Sequence, residues 1–563
     1  MASKQISIPL RFLSALAALV LITLGLGPGV SANRQVASAR TLSSTDVRHW
    51  RADLHFMADA ITRYHKNAFH SVSKRTFDRA VTELDARIPT MTRPQAIVGL
   101  KRIIAMIGDE HTGFGLSTGA PIFFHTLPIK VYKYSDGYFV QSAAPNYRSI
   151  VGRRIVGIGS LSIEEAMSRL FHVADTSNEW SFYSQVAFLM RGEVLNALGI
   201  TASDDRAEIR LAGPAGIRKV ELQTIPHPFN MEYGLGAPPG SDWIDSRQTT
   251  AAPLYLQRTN EYYWYAYTPD HVLYVRLKFV LNAPREETLA VFFDHTFAFA
   301  DSHDTKKLVL DIRNNGGGDN TLTSPIIQNI VMRPALNQRG KLFVIIGRDT
   351  ASAAQNLTDR LQRDTNAVFV GEPTSEWPNH YGDPQAFVLP YSHISVHISS
   401  LFWQDLDPRD QRKWTGPDIA AELTSAEYAQ NIDPAMDAIS SFHDVALTDE
   451  LRPSIALGDE PGVEKAYAAF FSDPLHKYAQ EQSVIDTLAH DCIDKKQPQM
   501  ALVLFQLNLK SNPGSNLAFD GLGDGFTALK ERGAALNAYR AALQIDPHDA
   551  IAASSISQIN SGP

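Results

Sequence analysis

Four short apolar runs between residues 270 and 445 constrain this chain more than any other feature. They are "VLYVRLKFV" (Val272–Val280), "KLVLDIRNNGGG" (Lys307–Gly318), "KLFVIIG" (Lys341–Gly347) and "NAVFVGEPT" (Asn366–Thr374). Each ends in turn residues, and helical stretches separate them. Near-continuous apolar runs belong to strands buried on both faces. Such strands alternating with helices predict an α/β core.

The third run leads into "GRDTASAAQNLTDRL" (Gly347–Leu361), where Ser352 stands at a strand-to-helix junction. Unpaired backbone N–H groups at a helix start stabilise negative charge, which suits an oxyanion beside a serine. Serine is also an ordinary helix N-cap, and on this stretch alone the cap is the better reading. The second run adds weight to the first reading. Its strand carries Asp311 and Arg313 and then runs into Gly316, Gly317 and Gly318. Glycines allow close backbone approach to a ligand. No Gly-Lys-Ser/Thr follows, so a phosphate loop is excluded.

The rest of the chain falls into further zones. Its 563 residues suggest three or four domains. Lys4 and Arg11, the apolar run Phe12–Gly27 and the small residues Val30, Ser31 and Ala32 make an export signal. Removing residues 1–32 takes the net charge from −8 to −10, and no second long apolar run follows. The acidic balance and the lack of a basic stripe argue against nucleic acid. Cys492 is the one cysteine, so no disulfide framework exists, and it reads as apolar filler.

Residues 33–115 read as a helical cap, with Trp50, Leu54, Met57 and Ile61 at helical spacing. Residues 116–228 read as a β-rich module, with a hairpin around Ser135, Asp136 and Gly137. The α/β core is assigned to 229–445 and a helical connector to 446–494. Residues 495–563 carry a repeat: Ala501 and Ala535, Phe505 and Tyr539, Leu509 and Leu543, and Pro513 and Pro547 are each 34 residues apart. That is a tetratricopeptide-like period, which predicts stacked helix pairs facing a protein partner.

"LVLDIRNNGGG", "TASAAQ" and "VGEPT", in that order, resemble the tricorn and C-terminal-processing (tail-specific) serine peptidases. "WTGPDI" (Trp414–Ile419), "IGDEHTGFG" (Ile107–Gly115) and "GRRIVGIGS" (Gly152–Ser160) extend the resemblance over roughly residues 45–445. It implies a multidomain α/β protein: a helical cap, a PDZ-like β-module, a ClpP/crotonase-like catalytic core and, outside the resemblance, an all-α repeat tail. It makes Ser352 the nucleophile. Processing-type members place a lysine just after the GEPT-like strand, but Trp377 stands there. Tricorn-like members draw a histidine from the helical region, which here is His111. An imidazole is suited to taking a serine proton near neutral pH.

Other assignments stay open at this point. Glu110, which stands where tricorn-like members have a serine, and Asp410 are candidates to orient the base, and His380 is a rival base. Gly317 and Ala353 are the expected oxyanion N–H donors. His393 and His397 alternate with apolar residues on a strand pattern, a solvated face rather than a metal pair. The sequence thus implies an exported serine peptidase acting on polypeptides, without cofactor or metal. The competing reading is an inactive homologue holding a peptide or ligand in the same cleft.

Overall fold

A computed structural model describes residues 41–117, 119–213, 216–226, 236–238, 240–247, 251–443 and 445–561. The expected export signal lies outside the described residues.

The four apolar runs form the four inner strands of one six-stranded sheet. Its order is Tyr263–Tyr267, Val272–Leu277, Lys307–Asp311, Leu342–Ile346, Val368–Gly371 and Ile419–Ala420. The first pair is antiparallel and every later pair is parallel. Alternate side chains of each strand feed two separate cores, as the twofold strand period requires. Leu308, Leu310, Val344 and Ile346 pack on one face with the helices Leu289–Ser302, Ser324–Val331 and Ala353–Asp364. Val309, Phe343, Ile345 and Val370 pack on the other with the helix Pro434–Ser440.

The N-terminal zone contains the helices Ser44–Tyr64, Lys74–Arg87 and Arg93–Ala105. Ser43 with Asp46, and Thr92 with Gln95, close reciprocal capping boxes at two of their starts. A three-stranded sheet holds Ile129–Tyr134, Gly137–Ala143 and Ile244–Asp245. A four-stranded sheet runs Leu161–Ser162, Ile155–Ile158, Arg206–Gly213, Gly216–Gln223. One continuous apolar core joins these helices and sheets, from Leu54 and Ile104 to Val140 and Ile209.

A long hairpin, His380–Val388 paired with Ser395–Trp403, leaves the α/β zone and ends in that first core. Leu389, Ile394, Val396 and Ile398 are buried there. Asp53 of the first cap helix accepts the Tyr391 and Ser392 N–H groups at 3.0 and 2.8 Å. His393 has a φ of 58° at the hairpin tip, outside the strand. It therefore does not share a strand face with His397, because the turn breaks the alternation.

The C-terminal zone is helical: Gln482–Asp494, Pro498–Ser511, Asn516–Ala528, Arg532–Ile545 and Ala550–Ser561 follow in succession. A side chain at Gly521 would sit 2.5 Å from the Phe505 ring, and one at Gly523 would sit 2.5 Å from the Tyr539 ring. These glycines let the helix Asn516–Ala528 approach the repeated aromatics on both sides. The stack begins at Gln482, inside the stretch expected as a connector. The 34-residue match catches only the second helix of each pair. No helix among the described residues is long and apolar enough to cross a membrane.

Candidate active site

The strand Leu342–Ile346 ends at Gly347, and a tight loop then delivers Ser352 to the start of the helix Ala353–Asp364. The loop is pinned from several sides. Thr350 Oγ1 donates to Ile312 O at 3.0 Å, and Ala351 N donates to Asn315 O at 3.1 Å. The Arg348 guanidinium forks onto Glu372 of the GEPT segment, with Nε at 2.7 Å, and faces the Tyr132 ring at 4.8 Å. In the glycine-loop motif, Asp311 is fully buried and receives Tyr274 Oη at 2.6 Å and Arg276 at 2.9 Å. Arg313 in turn forks onto Asp433 at 2.8 and 3.0 Å. Both charged residues of that motif therefore brace the loop instead of meeting a ligand.

Ser352 has φ 56° and ψ −127°, a region that side-chain-bearing residues rarely occupy. Its hydroxyl makes no N-cap hydrogen bond. Instead Ser352 Oγ lies 3.1 Å from His111 Nε2. His111 Nδ1 lies 2.9 Å from Glu376 Oε1, as an ion pair. The other oxygen of Glu376 accepts the N–H of Ser352 itself. Glu376 thus touches both partners. Its side chain is 2 % exposed and that of His111 16 %.

The charges follow from this packing. Burial opposes ionisation of His111, but Glu376, helped by Asp109 and Asp383, overcomes it and raises the imidazole to about 9. Burial likewise works against ionised Glu376, and His380 and His111 overcome it, holding that carboxyl below its usual range. Glu110 is the opposite case. Burial, reinforced by the Glu376 charge, pushes it well above the carboxylate range.

His111 is held from behind. Asp109 Oδ1 accepts the N–H of His111 at 2.9 Å, the N–H of Thr112 at 2.6 Å and Ser399 Oγ at 2.9 Å. Its other oxygen meets His65 Nε2 at 2.8 Å. His65 Nδ1 accepts the Asn67 N–H at 2.9 Å, so Nε2 carries the proton given to Asp109.

The other expected residues fall differently. Glu110 lines the cavity of about 190 Å³ in front of Ser352, but it is Glu376 that faces His111 Nδ1. Asp410 is bound by Arg412 at 2.6 Å and does not orient the base. His380 sits 3.6 Å from Glu376 and does not meet Ser352; it is a second imidazole on the same carboxylate. Gly317 gives its N–H to Asn315 Oδ1 at 2.9 Å, so that N–H is not free to bind an oxyanion. A side chain at Gly317 would stand 2.5 Å from Ser352 Cβ and 2.9 Å from Ala353 N, which explains the glycine by close approach. Trp377 donates Nε1 to Ser177 O at 3.0 Å. Glu376 is the residue that sequence reasoning missed. It directly precedes Trp377, and a search for any ionisable group after the GEPT strand, not for lysine alone, would have met it. Among the described residues, no group of three or more His, Cys, Asp or Glu is arranged to hold a metal ion.

No family model and no curated protein matches this chain. Solved structures do. Mature CPAF complexed with lactacystin matches 70 % of this chain and 98 % of its own, at 13 % identity and a TM-score of 0.50. This chain shares the fold of that structure. The photosystem II D1 C-terminal processing protease matches 70 % of this chain and 99 % of its own, at 15 % identity and TM-score 0.32. The tricorn protease matches 72 % and 37 % respectively, at 14 % identity and TM-score 0.33. The part shared with mature CPAF leaves out about 30 % of this chain.

Proposed function

We propose that this chain is a serine peptidase with Ser352 as nucleophile, His111 as base and Glu376 as the carboxylate that orients the base. The observation that carries the reading is the 3.1 Å approach of His111 Nε2 to the hydroxyl of a serine held at positive φ. Strained backbone at a strand-to-helix turn is a hallmark of an exposed nucleophile.

In the proposed reaction Ser352 Oγ attacks a peptide carbonyl while its proton passes to His111 Nε2. Collapse of the tetrahedral intermediate returns that proton to the leaving amine, and water then releases the acyl group by the same path. Glu376 stabilises the imidazolium that forms at each step. Ala353 is the first helical residue, so its N–H has no partner within the helix and can face an oxyanion. The export signal, the PDZ-like module and the repeats would place the enzyme outside the cytoplasm with a means of holding protein partners.

A fluorophosphonate probe tests the reading. Wild type is expected to label and Ser352→Ala not to label. His111→Ala is expected to label at least about a hundredfold more slowly. Absence of wild-type labelling, or equal labelling of Ser352→Ala, supports the inactive scaffold instead.

A further inference from the structure

A groove of about 1040 Å³ crosses the helical cap. One wall is a stripe on the helix Lys74–Arg87, where Arg79, Glu83 and Arg87 recur at four-residue spacing. Gln95, Val98 and Arg102 of the helix Arg93–Ala105 line the other wall. Buried Leu84, Met91 and Ile103 contribute apolar lining. At the inner end stand Trp377 and Lys413. His70, Ser177 and Trp377 also line a narrow slot with Glu110 and Glu376, and Glu110 in turn lines the cavity of Ser352. The groove therefore leads towards the nucleophile.

Its charge runs against that of the chain. Arg79, Arg87, Arg102 and Lys413 line it, with Glu83 as the sole carboxylate, 4.0 Å from Arg79. The whole protein carries −8. Arg87, Arg102 and Lys413 are exposed, so each attracts an anion weakly, but together they favour a ligand of opposite sign. Around Ser352 the cationic lining ends: burial keeps Glu110 uncharged, Glu376 is paired with His111, and Asp349 adds a carboxyl. A polyanion without sequence variety would find no counter-charge at that end. The rings in the lining come as two edge-on pairs, His70 with Trp377 and Phe171 with His172, not as a run of parallel platforms for bases. A polypeptide with acidic residues on one side only fits both ends.

We propose that this groove binds an acidic stretch of a polypeptide substrate, held by Arg87, Arg102 and Lys413 on its way to Ser352. The word substrate rests on the peptidase reading above. Binding is measured with the full chain carrying Ser352→Ala, using labelled peptides of equal length and apolar content, rich in Glu, Gln or Lys. The Glu peptide is expected to bind about tenfold more tightly than the Gln peptide, and added salt is expected to erase the difference. Arg87→Gln with Arg102→Gln is expected to erase it too, with an unchanged melting point. Should the pair destabilise the cap, Arg102→Gln alone and the salt series carry the same decision.

Equal binding of the Glu and Gln peptides, or a preference that survives the arginine changes, overturns the proposal. Tighter binding of a single-stranded oligonucleotide of equal charge overturns the choice of polypeptide. Fluorophosphonate labelling of wild type is read separately. Labelling without a Glu preference removes the groove and leaves the peptidase. A Glu preference without labelling removes the peptidase and leaves an acidic-peptide site.

Discussion

Ser352 occupies a backbone conformation that no helix cap requires, since N-cap residues sit comfortably in the extended region. Holding a side-chain-bearing residue there costs on the order of 1–3 kcal/mol. Ser352→Gly is therefore expected to lose all labelling yet resist denaturant better than Ser352→Ala, by about 1 kcal/mol or more; equal midpoints would show that the turn is unstrained. As the proposed base, His111 sets the pH dependence. A base must be neutral to accept a proton, and burial together with the stronger pull of Glu376, Asp109 and Asp383 leaves its imidazole at about 9. The labelling rate is expected to rise with pH and level off above that value. Glu376→Gln is expected to shift the limb towards pH 6.5, the ordinary histidine value, and to slow the reaction about tenfold or more. The same pair contributes stability with the opposite trend. A raised histidine stabilises the fold fully below pH 6.5 and loses that contribution as the pH passes about 9. Ser352 and His111 were legible in the sequence because local motifs mark them. Glu376 was not, because only the folded chain shows which of several carboxylates reaches the ring.

The long hairpin His380–Trp403 acts as a bracket across the site. Its first strand begins four residues after Glu376, and its second carries Ser399, which binds both Asp109 and Thr112 beside His111. Its tip is fastened to Asp53 on the first cap helix. Asp53→Ala removes both acceptor oxygens from two N–H groups. It is expected to lower kcat several-fold while KM holds, although Asp53 does not line the cavity of Ser352. A fall in KM affinity alone would count against the bracket. The glycine loop gives a sharper case. At φ 100°, with Ser352 Cβ only 2.5 Å from where a side chain would stand, Gly317→Ala is expected to abolish labelling. The strands of the sheet were legible because their burial leaves unbroken apolar runs. Of the hairpin only the start of the second strand was legible; the first, through Pro384, Gln385 and Ala386, has no clean period, and the hairpin's role depends on what it touches far along the chain.

The molecule brings together several apolar cores, and the candidate site lies where two of them meet. His111 rides on the core of the cap and β-region, while Ser352 starts a helix of the α/β core. Within the first core Lys101 is 3 % exposed and pairs with Asp175. Lys101→Met leaves that carboxylate without its counter-charge and is expected to cost about 3–5 kcal/mol in denaturant unfolding. An unchanged midpoint would show that water or another group compensates. Period made the first helices and the C-terminal helices legible, and unbroken apolar runs the strands between them. The continuity of one core across the first two zones was not, because sequence spacing carries no record of which faces meet.

The proposed base precedes the proposed nucleophile by 241 residues. During synthesis the cap leaves the ribosome long before the serine exists, and the serine emerges before its orienting carboxylate. A growing chain therefore holds no assembled site until residue 376 has been made.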